Sequence, residues 1–376
     1  IAHYDFEQTG NTLENQGTSA PANTKLLGLN GATFSVGATS ASVDVDSTVD
    51  YKVHTFTGGS NFVVTAGSGN VDTLIVGSGG GGGGNHGAGG GSGGVIFKPS
   101  HAVTAQSYSV AVGTGGSGGA SNGANFGTVG TVGNDSSFDS LVAKGGGFGG
   151  TWNNQAGSHQ NAGSGGSGGG AQGSGTVGTG TQPSQSGDSG TYGFGTSGIG
   201  HVGGGAGGNN DGIGGTINSD INDFLILTSA GVLDGTDRYI AGGGTNSATV
   251  QQLGGGGLYL QDGVDGTGSG GGGGCAGTCG GGGDGGDGIV IITYVDDGSI
   301  TATGGTVTDV TAIVGSNNII SATGLTDNTS TAQHYAFTRD GSNGWTLYQN
   351  GVSQATATDS TSLGANVGLG GATWGT

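Results

Sequence analysis

The sequence is poor in charge, and almost all of the charge it has is negative. Only 8% of the 376 residues are charged, with 6 Lys and Arg against 25 Asp and Glu, so the formal net charge is −19. Disordered chains usually depend on abundant charge for solubility, so this is not an ordinary disordered composition. Nucleic acid is excluded as a partner, because its phosphates are bound by clustered Lys and Arg. An anionic membrane surface is disfavoured for the same reason.

Methionine, proline and long apolar runs are also scarce. There is no Met, even at position 1, so we expect a processed form or a fragment of a longer protein. No apolar run reaches about 18 residues, which predicts that the chain has no membrane insertion. Three prolines without a strict Gly-X-Y repeat exclude a collagen triple helix. No segment sustains an i, i+3, i+4, i+7 apolar pattern, so we expect almost no α-helix.

Only two cysteines are present, Cys275 and Cys279, separated by three residues between glycine runs. A zinc site needs more ligands at compatible spacing, and a redox pair is usually C-x-x-C beside a βαβ pattern. Two free thiols or a local disulfide remain. The extracellular character of the rest of the chain favours the disulfide.

Glycine is what the chain has in excess: 99 residues, with unbroken runs at 79–84, 270–274 and 280–283. Such runs are either disordered loops or an ordered lattice. Apolar segments lie directly against them, which favours order because each run is then held at its ends. The lattice we predict is polyglycine II, an extended helix with three residues per turn. It has no internal hydrogen bonds, so neighbouring helices must pair its peptide groups.

Short segments rich in Val, Ile, Thr, Tyr and Phe alternate with Gly, Asn, Ser and Asp, as in β-strands separated by turns. We therefore predict an all-β fold, a β-sandwich or jelly roll with glycine-rich insertions packed as polyglycine II helices. The predicted strands are Val53–Thr57, Phe62–Thr65, Val71–Val76, Val95–Phe97, Tyr108–Val112, Phe138–Val142, Phe224–Leu227, Tyr239–Ala241, Leu258–Leu260, Ile289–Val295, Tyr335–Thr338 and Trp345–Tyr348.

Composition divides the chain into three parts. Residues 51–295 hold the glycine-rich excursions and are predicted to form one β-sandwich domain. Residues 1–50 and 296–376 have less glycine and more Thr, Asn, Ser and Ala, and are predicted to be β segments. These flanks are either two halves of one domain split by the insertion or pieces of two domains.

The flanks carry a first family resemblance. His334-Tyr-Ala-Phe-Thr-Arg-Asp-Gly-Ser342 followed by Trp345-Thr-Leu-Tyr-Gln-Asn-Gly-Val352 resembles paired strands of concanavalin-like, laminin-G-type jelly rolls. Ala2-His-Tyr-Asp-Phe-Glu7 with Asn15-Gln-Gly17 is similar to the first strand of that family. The sequence stops at Trp374-Gly-Thr376, where a closing strand would be expected, so we expect this jelly roll to be incomplete or to be completed by residues beyond 376 or by a neighbouring chain.

The middle of the chain carries a second resemblance. Tyr51-Lys-Val-His-Thr-Phe-Thr-Gly-Gly59, Val71-Asp-Thr-Leu-Ile-Val76 and Gly285-Gly-Asp-Gly-Ile-Val-Ile-Ile-Thr-Tyr294 resemble the glycine-rich domains of bacteriophage tail and fibre proteins. Related polyglycine II packing occurs in tip adhesins of T-even-like phages and in a receptor-kinase glycine-rich domain. The resemblance implies receptor contacts by variable loops at the distal end of the glycine bundle.

Nothing in the sequence supports catalysis. Gly165-Gly-Ser-Gly-Gly169 matches a nucleophile elbow only by chance in low-complexity sequence, since that motif needs a strand–turn–helix context. Asp284, Asp287, Asp296 and Asp297 bracket a strand and are either solvated carboxylates or calcium ligands, the one cofactor we consider. Large side chains within the excursion at 144–220 either plug the lattice edge or bind a receptor through their rings. These are Phe148, Trp152, Tyr192 and Phe194.

From these observations we expect a non-enzymatic protein of the virion surface, a tail fibre or similar appendage used for host attachment. Its partners would be copies of itself, with a trimer as the expected state, other virion proteins, and a glycan or protein of the host surface. The alternatives are a secreted bacterial filament or surface-layer protein and an ice-binding or glycan-binding adhesin. An electron micrograph showing open filaments would favour the first alternative.

Overall fold

The computed structural model describes residues 12–14, 25–27, 40–122, 126–152, 161–206, 219–248, 253–275, 280–323, 335–339 and 344–358. Residues 50–310 form one compact unit, and residues 1–49 and 311–376 are grouped as a second. The fold is all-β, as predicted. The strands are β1 (Thr12–Glu14), β2 (Lys25–Leu27), β3 (Ser40–Phe56), β4 (Ser60–Val76), β5 (Val95–Thr104), β6 (Ser107–Ala111), β7 (Ser136–Phe138), β8 (Leu141–Ala143), β9 (Gly193–Phe194), β10 (Val232–Asp234), β11 (Asp237–Tyr239), β12 (Ile289–Val295), β13 (Ile300–Thr303), β14 (Thr306–Thr323), β15 (Tyr335–Arg339), β16 (Gly344–Gln349) and β17 (Val352–Thr358).

The main element is a ten-stranded sheet built around β4. Its order is β14-β3-β12-β4-β6-β7-β8, with β13 and β5 also paired to β4, and β9 paired to β5. The strand is bent at Gly67, which has a φ of +83°, a conformation that favours glycine. Residues 60–67 of β4 pair with β6 and β13, while residues 68–76 pair with β5 and β12. Because of this bend, β4 belongs to two sheet layers, as in a β-sandwich.

Strand β12 lies inside the sheet, between two other strands, and is apolar on both faces. Ile289–Ile292 is a continuous apolar run, which predicts a strand buried on both faces. In the structure β12 lies antiparallel between β3 and β4, with Ile291 opposite both Thr55 and Leu74. Residues 289–294 are all buried. The prediction of Ile289–Val295 as a strand is confirmed to the residue.

Two apolar cores follow from this arrangement. The first core lies between the two layers and is centred on Phe56, Phe62 and Phe138. Within it His54 is fully buried, its ring stacked 5.7 Å from Tyr294 and edge-on to Phe62 at 5.0 Å. The Nδ1 atom of His54 lies 2.8 Å from the carbonyl oxygen of Gly304. Burial of the ring lowers its pKa below the usual value of 6.5.

The second core covers the outer face of the sheet and includes a helix that the sequence analysis missed. The segment Phe224–Leu227, predicted as a strand, lies in helix α2 (Ser219–Thr228). Ile221, Phe224 and Leu225 are buried at i, i+3, i+4 spacing, and the Phe224 ring packs edge-on against Phe97 at 5.2 Å. A short apolar run does not by itself distinguish a strand from a buried helix. A second helix, α1, covers only Asp188–Thr191.

Three other predicted strands differ from the structure. Tyr239–Ala241 overlaps β11 only at Tyr239, and Ala241 has a φ of +56°. Phe138–Val142 is a tight hairpin, because Asp139, with a φ of +51°, begins a turn between β7 and β8. Residues 258–260 form a turn within the glycine-rich region, where Leu260 has a φ of +65°. In the second unit β15, β16 and β17 form an antiparallel sheet at the two predicted hairpin strands, with Trp345 and Leu347 buried.

Candidate functional site

The glycine runs leave the sheet from the ends of its strands and return to it. Residues 77–84 follow β4 directly, reverse at Asn85 and His86, and come back as residues 87–94 to enter β5. The two reversing residues have φ values of +24° and +52°, a region in which Asn and His are enriched. Eight residues at about 3.1 Å each place that reversal about 25 Å from the sheet.

Run 77–84 is surrounded by six neighbouring runs. Its amides donate to three of them in rotation, so that residues three apart bond the same neighbour. Its carbonyl oxygens accept from three others in the same rotation. In the following pairs the amide of the first residue donates to the carbonyl oxygen of the second, at N···O distances of 2.7–3.1 Å. The amides of the run donate in the pairs 77 and 94, 80 and 91, 83 and 88 to one neighbour, in 78 and 134, 81 and 131, 84 and 128 to a second, and in 79 and 286, 82 and 283 to a third. Its carbonyl oxygens accept in the pairs 146 and 78, 149 and 81 from a fourth neighbour, in 116 and 79, 119 and 82 from a fifth, and in 271 and 80, 274 and 83 from a sixth.

Run 87–94 is enclosed in the same way. It donates to runs 144–150, 201–204 and 268–274, and it accepts from runs 77–83 and 167–170 and from Gly244. None of the residues in 77–84 or 87–94 has a positive φ, as expected for left-handed helices of polyproline II type. The three-residue period, the absence of bonds within a run and the six neighbours are the predicted polyglycine II lattice.

Close contact between backbones is the reason that glycine is required. A Cβ atom added at any position from Gly79 to Gly84 would lie within 3.0 Å of a carbonyl oxygen of a neighbouring run. Side chains are accepted only at special positions. The Ser78 hydroxyl donates to the carbonyl oxygens of Thr114 at 2.7 Å and Asn134 at 3.0 Å, and Ala88 is fully buried.

At the lattice edge, where an amide has no further run to bond, a side-chain oxygen accepts its hydrogen bond instead. The carboxylate of Asp284 accepts from the amide of Gly118 at 2.7 Å, and that of Asp287 accepts from Gly115 at 2.8 Å. The spacing of three residues matches one helical turn, so both carboxylates point to the same adjacent run. The same spacing recurs in Asp262 and Asp265, which accept from the amides of Asp284 and Asp287, and in Thr128 and Thr131, which accept from Ala120 and Ser117.

These contacts give the predicted calcium ligands another role. Asp296 pairs with Lys52 at 3.2 Å, and Asp297 accepts from the Ser299 amide at 2.9 Å. Hydrogen bonds from Ser299 lower the pKa of the Asp297 carboxyl. Among the residues that the structure describes, no three His, Cys, Asp or Glu side chains form a group suited to a metal ion. The four aspartates are therefore not brought together as a calcium site.

The reversal at Asn85 and His86 lies at the end of the lattice away from the sheet, which we call the distal end, whereas the turn at 265–268 lies at the sheet end, where Gly268 is beside Val76 and Gly77. Asn85 lies at its centre: the Trp152 amide donates to its carbonyl oxygen at 3.1 Å, and a Cβ added at Gly127 would meet its side chain. The His86 amide donates to the Cys275 carbonyl oxygen at 3.0 Å, and the Gln172 side chain donates to that of His86. Described residues at this end are Asn85, His86, Ser121, Asn122, Phe126, Trp152, Gln172, Ile199, Gly200, His201, Tyr259 and Leu260.

The predicted receptor-contact residues do not all reach this end. Trp152 does, and the residue is 36% exposed. Tyr192 packs against the first core, and Phe194 lies in β9 against the second, paired with Val95 of β5. Phe148 lies within run 144–151, beside Gly163. Three exposed apolar residues at the distal end were missed in the sequence analysis: Phe126, Ile199 and Leu260. Each is an apolar residue next to a reversal between two glycine runs, which is the signal that identifies them.

The cysteine prediction falls partly outside the described residues. Cys275 is disulfide-bonded, and Cys279, the only other cysteine of the chain, lies outside the described part. In the part of the chain that the structure describes, no helix has the length and apolar character that crossing a bilayer requires.

Comparison with known proteins gives a match that covers the lattice and most strands of the sheet. A family model described as a glycine-rich domain matches residues 54–295. No curated protein matches the chain.

Proposed function

The chain belongs to the glycine-rich domain family, and from this we propose that it is a non-enzymatic adhesion protein whose polyglycine lattice carries a binding surface at its distal end. The observation that carries the proposal is the two-ended architecture. Runs 77–84, 113–120 and 144–150 follow strands of the sheet, and runs 87–94, 128–134 and 281–288 lead into strands. The reversal at Asn85 and His86, at the other end, is held by hydrogen bonds to other parts of the lattice. Loops on a rigid scaffold are well suited to binding, because little conformational entropy is lost on contact.

The resemblance to phage tail and fibre glycine-rich domains leads us to propose a virion appendage as the biological setting. Host attachment is the function that this setting and the distal loops share. We expect a closed homo-oligomer, with a trimer as the proposed state. The filament alternative is less well supported. A filament that grows by adding chains at the lattice edge would need free amides there, but those amides already donate to side-chain oxygens of Asp and Thr.

The function is tested by attachment. The purified chain, labelled with a fluorophore, is incubated with a panel of bacterial strains, and bound fluorescence is measured by flow cytometry. We expect saturable binding to a subset of strains. Absence of binding to every strain would count against adhesion.

The setting is tested by electron microscopy of the native assembly decorated with an antibody against the chain. Label at the tips of particle appendages is the expected result. Label along open filaments without particles would support the filament alternative instead.

A further inference from the structure

Building on the proposed function, we propose that the distal end binds a neutral polysaccharide, with the rings of Phe126 and Trp152 stacking on sugar faces. The two residues come from different parts of the chain, yet both lie near Asn85: the Trp152 amide donates to the Asn85 carbonyl oxygen, and a Cβ added at Gly127, next to Phe126, would meet the Asn85 side chain. Phe126 is 42% exposed and Trp152 is 36% exposed, so part of each residue is open to solvent while its backbone is held by a hydrogen bond.

The chemistry of the neighbouring residues fits sugar hydroxyls. His86 and Asn122 are exposed at the same end, and their imidazole and amide groups can donate and accept hydrogen bonds. Gln172 has a positioning role, because its amide donates to the His86 carbonyl oxygen and its oxygen accepts from the Gly173 amide at 2.9 Å. Aromatic faces beside uncharged polar groups suit a ligand whose rings are apolar on their faces and polar at their rims.

Charge decides between classes of ligand. None of the described distal-end residues is Asp, Glu, Lys or Arg, although the chain has 31 such residues, 25 acidic and 6 basic. Among the described distal-end residues a cationic ligand would find no carboxylate, and that of the nearby Asp262 already accepts from the Asp284 amide. An acidic polysaccharide would be repelled by the net charge of −19. A neutral ligand meets neither obstacle.

A protein partner is the less favoured occupant. Protein interfaces are anchored by aromatic and Arg side chains in a desolvated centre of several hundred Å². Here the exposed apolar residues Phe126, Trp152, Ile199 and Leu260 come from four different segments of the chain. The surface is better matched to a flexible polysaccharide, which contacts a few aromatic side chains at a time.

The test uses the whole chain, immobilised on a biosensor, with dextran, mannan and galactan as neutral probes and dextran sulfate and polygalacturonate as acidic probes. We expect binding to at least one neutral probe and to neither acidic one. Trp152→Ala and Phe126→Ala should each weaken that binding by about tenfold or more. Leu233→Ala is the matched control, since Leu233 is 58% exposed on the β10–β11 hairpin. Thermal unfolding of each variant verifies that it is folded.

The proposal is overturned if no neutral probe binds, if only acidic probes bind, or if the folded distal-end variants bind like the wild type. A cell assay separates this outcome from failure of the proposed function. Attachment that is lost in Trp152→Ala, is abolished by protease treatment of the cells and does not compete with any neutral probe would identify a protein receptor. The adhesion function would then stand and the polysaccharide inference would fall.

Discussion

Asp284 shows how a single residue ends a lattice made of backbone. Inside the lattice each amide meets a carbonyl oxygen of another run, but at the edge there is no further run. The carboxylate of Asp284 supplies the missing acceptor to Gly118, and Asp287 does so one turn later for Gly115. The D-x-x-D spacing was visible in the sequence, but we interpreted it as a choice between solvent and calcium. The third possibility, a peptide-group substitute, depends on the three-residue period.

The role of Asp284 predicts a difference between two substitutions. Asp284→Ala removes the acceptor and should lower the free energy of unfolding by about 1 kcal/mol. Asp284→Asn keeps an oxygen in the same place and should cost less. The two variants are compared by urea unfolding, and equal losses would show that the hydrogen bond to Gly118 does not contribute.

His54 makes stability dependent on pH. Its pKa in the folded state is lowered by burial, so the contribution of His54 to stability is fully present above the unfolded value near 6.5. It is lost as the pH falls toward the folded pKa, because the unfolded chain then binds the proton more tightly. We therefore expect unfolding free energy to decrease between pH 7 and pH 5, measured by urea titration.

His101 needs a separate control in that experiment. Burial also lowers its pKa, so it contributes to the pH dependence with the same sign. His54→Asn and His101→Asn should each reduce the slope, and together they should remove most of it above pH 5. An unchanged slope in His54→Asn would contradict the assignment.

Among the elements, burial on both faces was easier to predict than the choice between helix and strand. Ile289–Val295 was predicted correctly, because a long β-branched apolar run has few alternatives. Residues 224–227 were assigned wrongly, since the apolar run hid the i, i+3, i+4 positions of Ile221, Phe224 and Leu225. Polyglycine II helices were predicted from composition, but their pairing was not. A run without side chains gives no pattern that specifies its neighbours.

The requirement for glycine can be tested within one element. A Cβ at Gly81 would collide with the backbone of Ser117, so Gly81→Ala should destabilise the protein by about 1–3 kcal/mol or more. Gly58 lies in an exposed turn with nothing within 4 Å of an added Cβ, and it has no positive φ. Gly58→Ala is therefore the control and should be nearly neutral. Thermal unfolding distinguishes the two, and similar melting temperatures would contradict the close packing.

For residues 50–310 as a whole, sheet and lattice are continuous along the chain. Run 77–84 begins at the end of β4, and run 281–288 leads into β12, so the same strands that form the apolar cores also hold the lattice runs. This continuity could be anticipated, because the sequence places apolar segments against glycines. The position of the Asn85–His86 reversal beside Trp152 and Cys275 could not, since it depends on the directions of several runs.

Because the lattice runs continue directly into strands, we expect their amides to be as protected from hydrogen exchange as those of the sheet. Amides in 77–84 and 87–94 should exchange hydrogen for deuterium as slowly, relative to their intrinsic rates, as those of β12. Peptides covering these segments can be compared by mass spectrometry, with the exposed turn at residues 57–59 as the fast control. Exchange of the glycine runs at the rate of that turn would show that they are loops rather than a lattice.

The six-sided bonding of runs 77–84 and 87–94 also has an evolutionary consequence. Apart from the small side chains of Ser78, Ala88 and Ser92, their interior uses only peptide groups, which are the same in every protein, so few side chains inside have to change when a reversal changes in length or composition. Purifying selection should therefore fix the buried glycines, while insertions and substitutions accumulate at the distal end. A family of such chains could diversify its binding specificity rapidly without redesigning the support.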